Sequence, residues 1–142
     1  MAAVDIIQEF SCSVETLYNY LSDHENLTVI FAPAKIKRIR EGNDMPNGVG
    51  SVRKLSLPLA PSFEETVTYN QPNERIEYRI SAGFTPLKNH IGIMRFSETP
   101  RGSRLHYSIH FDGKLPFIAP VIGFGLTQGI RRGLKKLAKT LV

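Results

Sequence analysis

Two patterns of apolar and polar residues divide the chain. Through most of its length, apolar and polar residues alternate in short runs separated by Gly, Pro, Asn and Asp, which is typical of strands joined by turns. Towards the end, apolar residues recur every three or four positions, which is typical of an amphipathic helix. Strands are predicted at residues 4–10, 35–40, 49–57, 63–69, 75–81, 89–96 and 104–111. Short helices are predicted at 13–21 and 25–31, and a long helix at 117–141.

The order of these elements predicts the fold class. Six strands follow one another without an intervening helix, which favours a sequential antiparallel sheet over alternating βαβ units. One long C-terminal helix must then cover one face of that sheet. We therefore predict an α+β fold in which seven antiparallel strands pack around the C-terminal helix. A single domain, residues 1–142, is sufficient for a chain of this length.

Three glycines mark one flank of the long helix. Gly125, Gly129 and Gly133 lie four residues apart, and each costs roughly 1 kcal/mol of helix stability relative to alanine. Glycine at these positions either lets another segment pack closely or leaves volume for a ligand, and both interpretations stay open.

Val121 and Phe124 project onto a different side of this helix, which becomes basic further along. We expect a neighbouring loop to cover these two side chains. The alternative is contact with a membrane surface or with another subunit, because an apolar patch beside a cationic face suits either partner.

The hairpin around Pro72-Asn73 predicts which side chains point inward. A tight turn there places Val67 opposite Tyr78, Glu65 opposite Ile80, and Tyr69 opposite Ile76. Since Tyr78 and Ile80 alternate with charged residues, their face of the strand is the buried one, and Glu65 shares it.

The preceding hairpin brings an arginine to the same face. A turn at residues 59–61 sets Leu57 near Phe63 and Leu55 near Glu65, with Arg53 diagonal to Glu65. A buried carboxylate and guanidinium are costly unless paired, so we expect Glu65 to contact Arg53 or Tyr78. Arg53, Glu65 and Tyr78 either orient a ligand or move protons. Alternatively, they form a salt bridge that only fixes the curvature of the sheet.

The last hairpin leaves the inward face of strand 89–96 undecided. A four-residue turn at 99–102 pairs Phe96 with Leu105, Met94 with Tyr107 and His90 with Phe111, and it turns His90 inward. A three-residue turn would instead bring Ile91, Ile93 and Arg95 inward. An inward His90 is either a hydrogen-bonded structural residue or a catalytic one.

Composition excludes several classes of function. The chain has 18 Lys and Arg against 13 Asp and Glu, a net charge of +5, but no aromatic residues interleave with the basic ones, so nucleic acid is not an expected partner. The single cysteine, Cys12, excludes an internal disulfide and favours a reducing cytoplasm. The N-terminal residues lack the features of a signal peptide, and no segment is predicted to span a membrane.

Neither a metal nor another cofactor is expected. His106 and His110 lie four residues apart on a strand, about 13 Å, so they cannot share one metal ion. His24 is expected at the surface.

Three motifs occur in an informative order. They are Gly48-Val49-Gly50-Ser51-Val52-Arg53, Glu65-Thr66-Val67-Thr68 and Pro72-Asn73-Glu74-Arg75-Ile76-Glu77-Tyr78. With the helix signal at residues 13–23, the order and spacing resemble the SRPBCC, or START-like, superfamily, and within it the polyketide cyclase/dehydrase and lipid-transport group. This resemblance implies a helix-grip fold, in which a curved seven-stranded antiparallel sheet holds the C-terminal helix with a hydrophobic cavity between them.

The leading hypothesis is therefore binding of a small hydrophobic or amphipathic molecule, such as a lipid, an isoprenoid or an aromatic polyketide. Arg53, Glu65 and Tyr78 would orient its polar end. The alternatives are a cyclase or dehydratase in which Glu65 or His90 moves protons, and a partner- or membrane-binding domain that uses Val121 and Phe124. The predicted apolar lining comprises Leu55, Leu57, Tyr69, Tyr78, Tyr107, Ile109, Leu126, Gly129 and Ile130.

Overall fold

The computed structural model describes residues 3–142. Its strands are β1 (Val4–Phe10), β2 (Lys35–Arg40), β3 (Val52–Ser56), β4 (Phe63–Gln71), β5 (Arg75–Gly83), β6 (Leu87–Thr99) and β7 (Gly102–Gly113). Its helices are α1 (Val14–Ser22), a 3₁₀ helix (His24–Leu27), α2 (Thr28–Phe31) and α3 (Ile118–Thr140). All strand pairs are antiparallel, in the order β1-β7-β6-β5-β4-β3-β2, so the predicted seven-stranded α+β fold is confirmed.

The core lies between the inner face of the sheet and the helices. Ile130, Leu134 and Leu137 of α3 are buried, which confirms the apolar stripe read from the sequence. Ser13 caps α1 by accepting a hydrogen bond from the Thr16 N–H at 3.1 Å, and Leu17 lies buried on that helix. The helices thereby close one side of the sheet.

The register between β3 and β4 differs from the sequence prediction. Arg53 lies directly opposite Glu65, and Leu55 opposite Phe63, because the connection between β3 and β4 is longer than the predicted turn. In the next hairpin, Glu65 pairs with Ile80 as predicted.

Tyr69 lies on the outer face of the sheet, so its predicted place in the cavity is wrong. A bulge between Val67 and Tyr69 shifts the register, and Tyr69 pairs with Glu77 instead of Ile76. Since successive strand residues face opposite sides, this one-residue shift turns the ring outward. There the Arg75 guanidinium lies 4.6 Å from the ring centroid.

The four-residue turn between β6 and β7 is confirmed. Phe96 pairs with Leu105 and Met94 with Tyr107. The predicted pair between His90 and Phe111 is absent, because the register shifts between Lys88 and Ile91, but His90 still faces inward and is only 8% exposed.

The glycines of α3 divide between the two interpretations. A Cβ at Gly133 would lie 2.6 Å from the Ile30 Cα, so this glycine allows α2 to pack against α3. At Gly125 and Gly129, a Cβ would meet no atom of the described residues within 4 Å. Close packing therefore explains Gly133, whereas Gly125 and Gly129 border open space.

Val121 and Phe124 are 68% and 69% exposed, so the loop cover expected for them is absent. They lie on α3 together with a run of exposed basic residues. Within residues 3–142, no helix is both long enough and apolar enough to cross a membrane.

Candidate ligand-binding site

A buried ion pair joins two neighbouring strands. Arg53 on β3 and Glu65 on β4 are 3% and 6% exposed. Arg53 Nε donates a hydrogen bond to Glu65 Oε1 at 2.8 Å, and Nη2 lies 2.8 Å from the same oxygen, in an ion-pair contact without hydrogen-bond geometry. The expected burial of Glu65 and its contact with Arg53 are therefore both present. Both contacts use one carboxylate oxygen, so Glu65 Oε2 is not engaged by Arg53.

His24 completes the support of Arg53, although the sequence placed it at the surface. Arg53 Nη1 donates to His24 Nδ1 at 3.2 Å, which makes Nδ1 an acceptor and leaves the proton on Nε2. Nε2 lies 2.8 Å from Ser51 Oγ, whose hydroxyl donates to the Gly48 carbonyl at 2.6 Å. This chain of hydrogen bonds runs in one direction and requires a neutral imidazole.

The electrostatic surroundings of His24 agree with this neutral form. Burial, together with the nearby positive charges of Arg53 and Arg38, lowers the pKa of His24 to about 3. Asp23 helps to position His24 because it caps the 3₁₀ helix that begins there. The Asp23 side chain accepts a hydrogen bond from the Glu25 N–H at 3.1 Å.

Two buried tyrosines pack beside the ion pair. The Arg53 guanidinium carbon lies 4.3 Å from the centroid of the Tyr78 ring, and the hydroxyls of Tyr78 and Tyr107 are hydrogen-bonded to each other. Burial raises the pKa of both phenols, so both are neutral. Gly92 makes room for this arrangement, because a Cβ there would lie 2.1 Å from Tyr78 Cζ.

A cavity of about 110 Å³ lies between the sheet and the helices. Five of the predicted apolar lining residues border it, and so do both candidate catalytic residues, Glu65 and His90. The lining is Phe31, Ala34, Leu55, Leu57, Phe63, Glu65, Tyr78, Ile80, Leu87, His90, Ile109 and Leu126.

Other predicted site residues lie elsewhere. Arg53 supports Glu65 without lining the cavity, and Tyr107 is buried against Tyr78. Gly129 and Ile130 border an adjoining groove instead. Sequence reasoning missed Phe31, Ala34, Phe63, Ile80 and Leu87 as lining residues; of these, Phe63 and Ile80 could have been found from the alternation that identified Glu65.

The polar end of the cavity is formed by Glu65 and His90. The Ile80 N–H donates to His90 Nδ1 at 3.1 Å, which leaves the imidazole proton on Nε2. His90 Nε2 lies 3.7 Å from Glu65 Oε2, beyond the length of a direct hydrogen bond. Burial lowers the pKa of His90, although the charge of Glu65 opposes this shift. A neutral donor and a carboxylate acceptor thus face the same space.

A groove of about 190 Å³ adjoins the cavity between α2 and α3. Gly125 and Gly129 form part of its wall, and Phe31, Leu57 and Leu126 border both the groove and the cavity. These three side chains separate the interior from the surface.

A larger depression, of about 610 Å³, lies on the outer face of the sheet. It includes Ile7, Tyr69 and Arg95 but neither Glu65 nor His90, and it is shallow and open to solvent. Within residues 3–142, no three His, Cys, Asp or Glu side chains are arranged to hold a metal ion. The cavity between the sheet and the helices, which is less open and lined by both Glu65 and His90, is therefore the candidate site.

The antiparallel sheet, the long helix and the apolar cavity between them define a START-like helix-grip protein. A family model for polyketide cyclase/dehydrase and lipid transport matches residues 1–142, so the chain belongs to this family. Together, the family and the fold suggest a ligand-binding domain. No curated protein matches the chain.

Solved structures share the fold at low sequence identity. The protein XoxI from Bacillus cereus is 20% identical, with a TM-score of 0.72, over 99% of this chain and 96% of that one. Ara h 8.0201 is 20% identical, with a TM-score of 0.69 and 96% of each chain covered. A subunit of the Aha1 dimer from Colwellia psychrerythraea is 14% identical, with a TM-score of 0.70, over 97% and 94% of the two chains.

Proposed function

We propose that this protein binds a small, largely apolar molecule in the cavity between the sheet and α3. The observation that carries the proposal is a partly closed, largely apolar lining with a carboxylate and an imidazole at one end. Sites for small molecules commonly combine an apolar wall with a few polar groups that fix orientation. The ligand's polar group would lie at Glu65 and His90.

The size of the cavity restricts the ligand. A cavity of about 110 Å³ is close to the ~150 Å³ that holds benzene in an engineered protein core. A lipid-sized ligand therefore needs the adjoining groove of about 190 Å³ as well. Together the two spaces approach the lower end of the ~300–1,000 Å³ typical of small-molecule sites. We propose that a ring or chain end occupies the cavity and that a tail extends along Gly125 and Gly129.

Catalysis by a cyclase or dehydratase is the alternative, and it would use the same two side chains. We place binding first because Arg53 already engages Glu65 and because burial lowers the pKa of His90, which disfavours an imidazolium acid near neutral pH. Turnover of an aromatic β-ketone that is abolished in His90→Gln but not in His110→Gln would favour the enzyme. The cytoplasm remains the proposed location, on the evidence of the single cysteine.

The binding proposal is tested by titrating an environment-sensitive apolar dye and by native mass spectrometry of freshly purified protein. Leu126→Trp fills the boundary between cavity and groove and should weaken dye binding about tenfold or more. Leu141→Trp, just after the last residue of α3 and outside the cavity lining, is the matched control and should leave dye binding unchanged. A parent protein that binds no dye and carries no small molecule would refute the proposal.

A second candidate function is contact with an anionic membrane surface. The chain exposes an apolar rim of Leu115, Phe117, Val121 and Phe124, each between 64% and 85% exposed. Helix α3, which carries Val121 and Phe124, continues into exposed Arg131, Arg132, Lys135, Lys136 and Lys139 and has no acidic residue. Apolar residues that insert and cations that meet lipid phosphates are the two components of interfacial binding, and the positive charge favours a lipid surface over a second copy of this basic chain.

Vesicle sedimentation tests this second function. Binding should require anionic lipid and should fall several-fold in the double variant Phe117→Ser, Phe124→Ser. Ile7→Ser, which removes an exposed apolar residue from β1, is the control. Equal binding to neutral vesicles would argue against an anionic membrane surface as the partner. Dimerisation that the double variant abolishes would argue for self-association instead.

A further inference from the structure

The two polar groups in the cavity differ in what they offer a ligand. Arg53 contacts only Oε1 of Glu65, which leaves Oε2 as an acceptor on a residue that borders the cavity. The Ile80 N–H fixes the tautomer of His90, which leaves Nε2–H as a donor on a second residue that borders the cavity. Both side chains are buried, and the two atoms lie 3.7 Å apart. Neither group can turn away, because each is held by its other polar atom.

We propose that this pair recognises a neutral hydroxyl group, an alcohol, phenol or enol, at the end of an apolar ligand. The hydroxyl proton is donated to Glu65 Oε2, and the hydroxyl oxygen accepts the proton of His90 Nε2. An oxygen about 2.8 Å from each atom fits across a 3.7 Å separation. This inference rests on the proposed binding function and adds the chemical class of the ligand.

Other polar groups match the pair less well. A ketone or aldehyde oxygen accepts from His90 but places its lone pairs against the Glu65 carboxylate. A carboxylate adds a second negative charge to a buried site in which Arg53 is already paired with Glu65. An ammonium group satisfies Glu65 but turns its N–H groups towards the His90 donor. A hydrocarbon displaces water from both groups without replacing either hydrogen bond.

Support for the pair comes from outside the cavity. His24 and Tyr78 hold the Arg53 guanidinium from two sides, and Arg53 in turn holds Glu65 Oε1. The carboxylate is therefore oriented before a ligand arrives, which reduces the entropic cost of forming the hydrogen bond. Positioning of this kind makes discrimination between a hydroxyl and its isosteres strong.

The test compares four one-ring probes of nearly equal size: benzyl alcohol, benzaldehyde, toluene and benzoate. Binding is measured by calorimetry or by displacement of the apolar dye from the parent protein. Benzyl alcohol should bind about tenfold or more tightly than toluene, since a hydrogen bond to a charged group is involved, with benzaldehyde weaker than the alcohol and benzoate weakest.

Variants test whether Glu65 and His90 cause the preference for benzyl alcohol over toluene. His90→Phe keeps an aromatic ring but removes the donor, and it should reduce the preference for the alcohol over toluene towards one. His110→Phe, on the neighbouring strand but outside the cavity lining, should leave the preference intact. The comparison of probes on the parent protein keeps the test valid if His90→Phe fails to fold.

The outcomes separate this inference from the proposed function. If all four probes bind equally, or if benzoate or toluene binds best, the cavity binds ligands but the hydroxyl inference is wrong. If none of the probes binds and the dye also fails to bind, the cavity does not bind ligands and both proposals fall.

Discussion

Arg53 holds His24 in a single tautomer, because its Nη1 donates to His24 Nδ1 at 3.2 Å while Ser51 lies 2.8 Å from Nε2. The same guanidinium holds Glu65 through Nε. One buried arginine therefore orients a neutral base outside the cavity and a carboxylate within it. The stability of the fold and the geometry of the proposed site should depend on the same contacts.

Stability should fall as the pH is lowered from 7 to 5. An unfolded histidine has a pKa near 6.5, whereas burial lowers the pKa of folded His24 to about 3. Between these values the unfolded chain binds a proton that the folded protein excludes, so acid favours unfolding. We expect His24 to contribute a loss of about 2 kcal/mol over this window, and buried His90 acts in the same direction. Urea unfolding at several pH values measures the loss.

His24→Gln should reduce the loss of stability between pH 7 and 5, because an amide does not titrate. His106→Gln is the matched control, since His106 is partly exposed on β7 next to Asp5. An unchanged pH slope in His24→Gln would show that His24 is not the buried neutral group described above.

The Arg53–Glu65 pair should show strong coupling in a double-mutant cycle. Removing either partner leaves a buried charge unpaired, so Arg53→Met and Glu65→Gln should each cost about 3–5 kcal/mol of unfolding free energy. The double variant should cost less than the two single changes combined, by up to ~3 kcal/mol.

The exposed pair of Arg104 and Glu9 provides the comparison. Its atoms approach to 2.7 Å, but both side chains are about half exposed, so its coupling should stay below about 1 kcal/mol. Strict additivity at Arg53 and Glu65 would contradict the coupled arrangement.

Local sequence patterns were sufficient to predict the sheet and the long helix. Alternation identified the inward face of β5, and pairing across one turn then placed Glu65 inside. The bulge before Tyr69 could not be predicted from alternation. A bulge is an extra residue relative to the paired strand, so it is recognised only when the pairing of the two strands is known. The prediction for Tyr69 failed for that reason.

The role of His24 depends on contacts between residues distant in sequence. A guanidinium has five N–H donors, and a single carboxylate oxygen cannot satisfy them, so a further buried acceptor near Arg53 was implied. The sequence offered no means to choose His24, because the 3₁₀ helix that carries it meets Ser51 and Arg53 only in the folded chain.

Two glycines of α3 should respond in opposite ways to the same substitution. At Gly133, an added Cβ would approach the Ile30 Cα to 2.6 Å and the Val29 carbonyl oxygen to 2.7 Å, so Gly133→Ala should destabilise the protein, by roughly 1–3 kcal/mol. At Gly129 the methyl group meets open space, so Gly129→Ala should stabilise the helix by up to about 1 kcal/mol. Urea unfolding of both variants checks the signs. Equal effects would contradict the different surroundings assigned to these glycines.

A leucine at Gly129 should separate the contributions of groove and cavity to binding. The side chain would enter the groove bordered by Phe31, Leu57 and Leu126, which a ligand tail would otherwise occupy, while the inner cavity keeps its volume. Benzyl alcohol should then bind as it does to the parent, whereas an alkyl-substituted benzyl alcohol should lose about tenfold or more, since each buried methylene contributes about 0.8 kcal/mol. Gln128→Leu adds a similar side chain on the exposed side of α3 and should leave both affinities unchanged. If Gly129→Leu weakens both ligands equally, or neither, the tail does not lie along this groove.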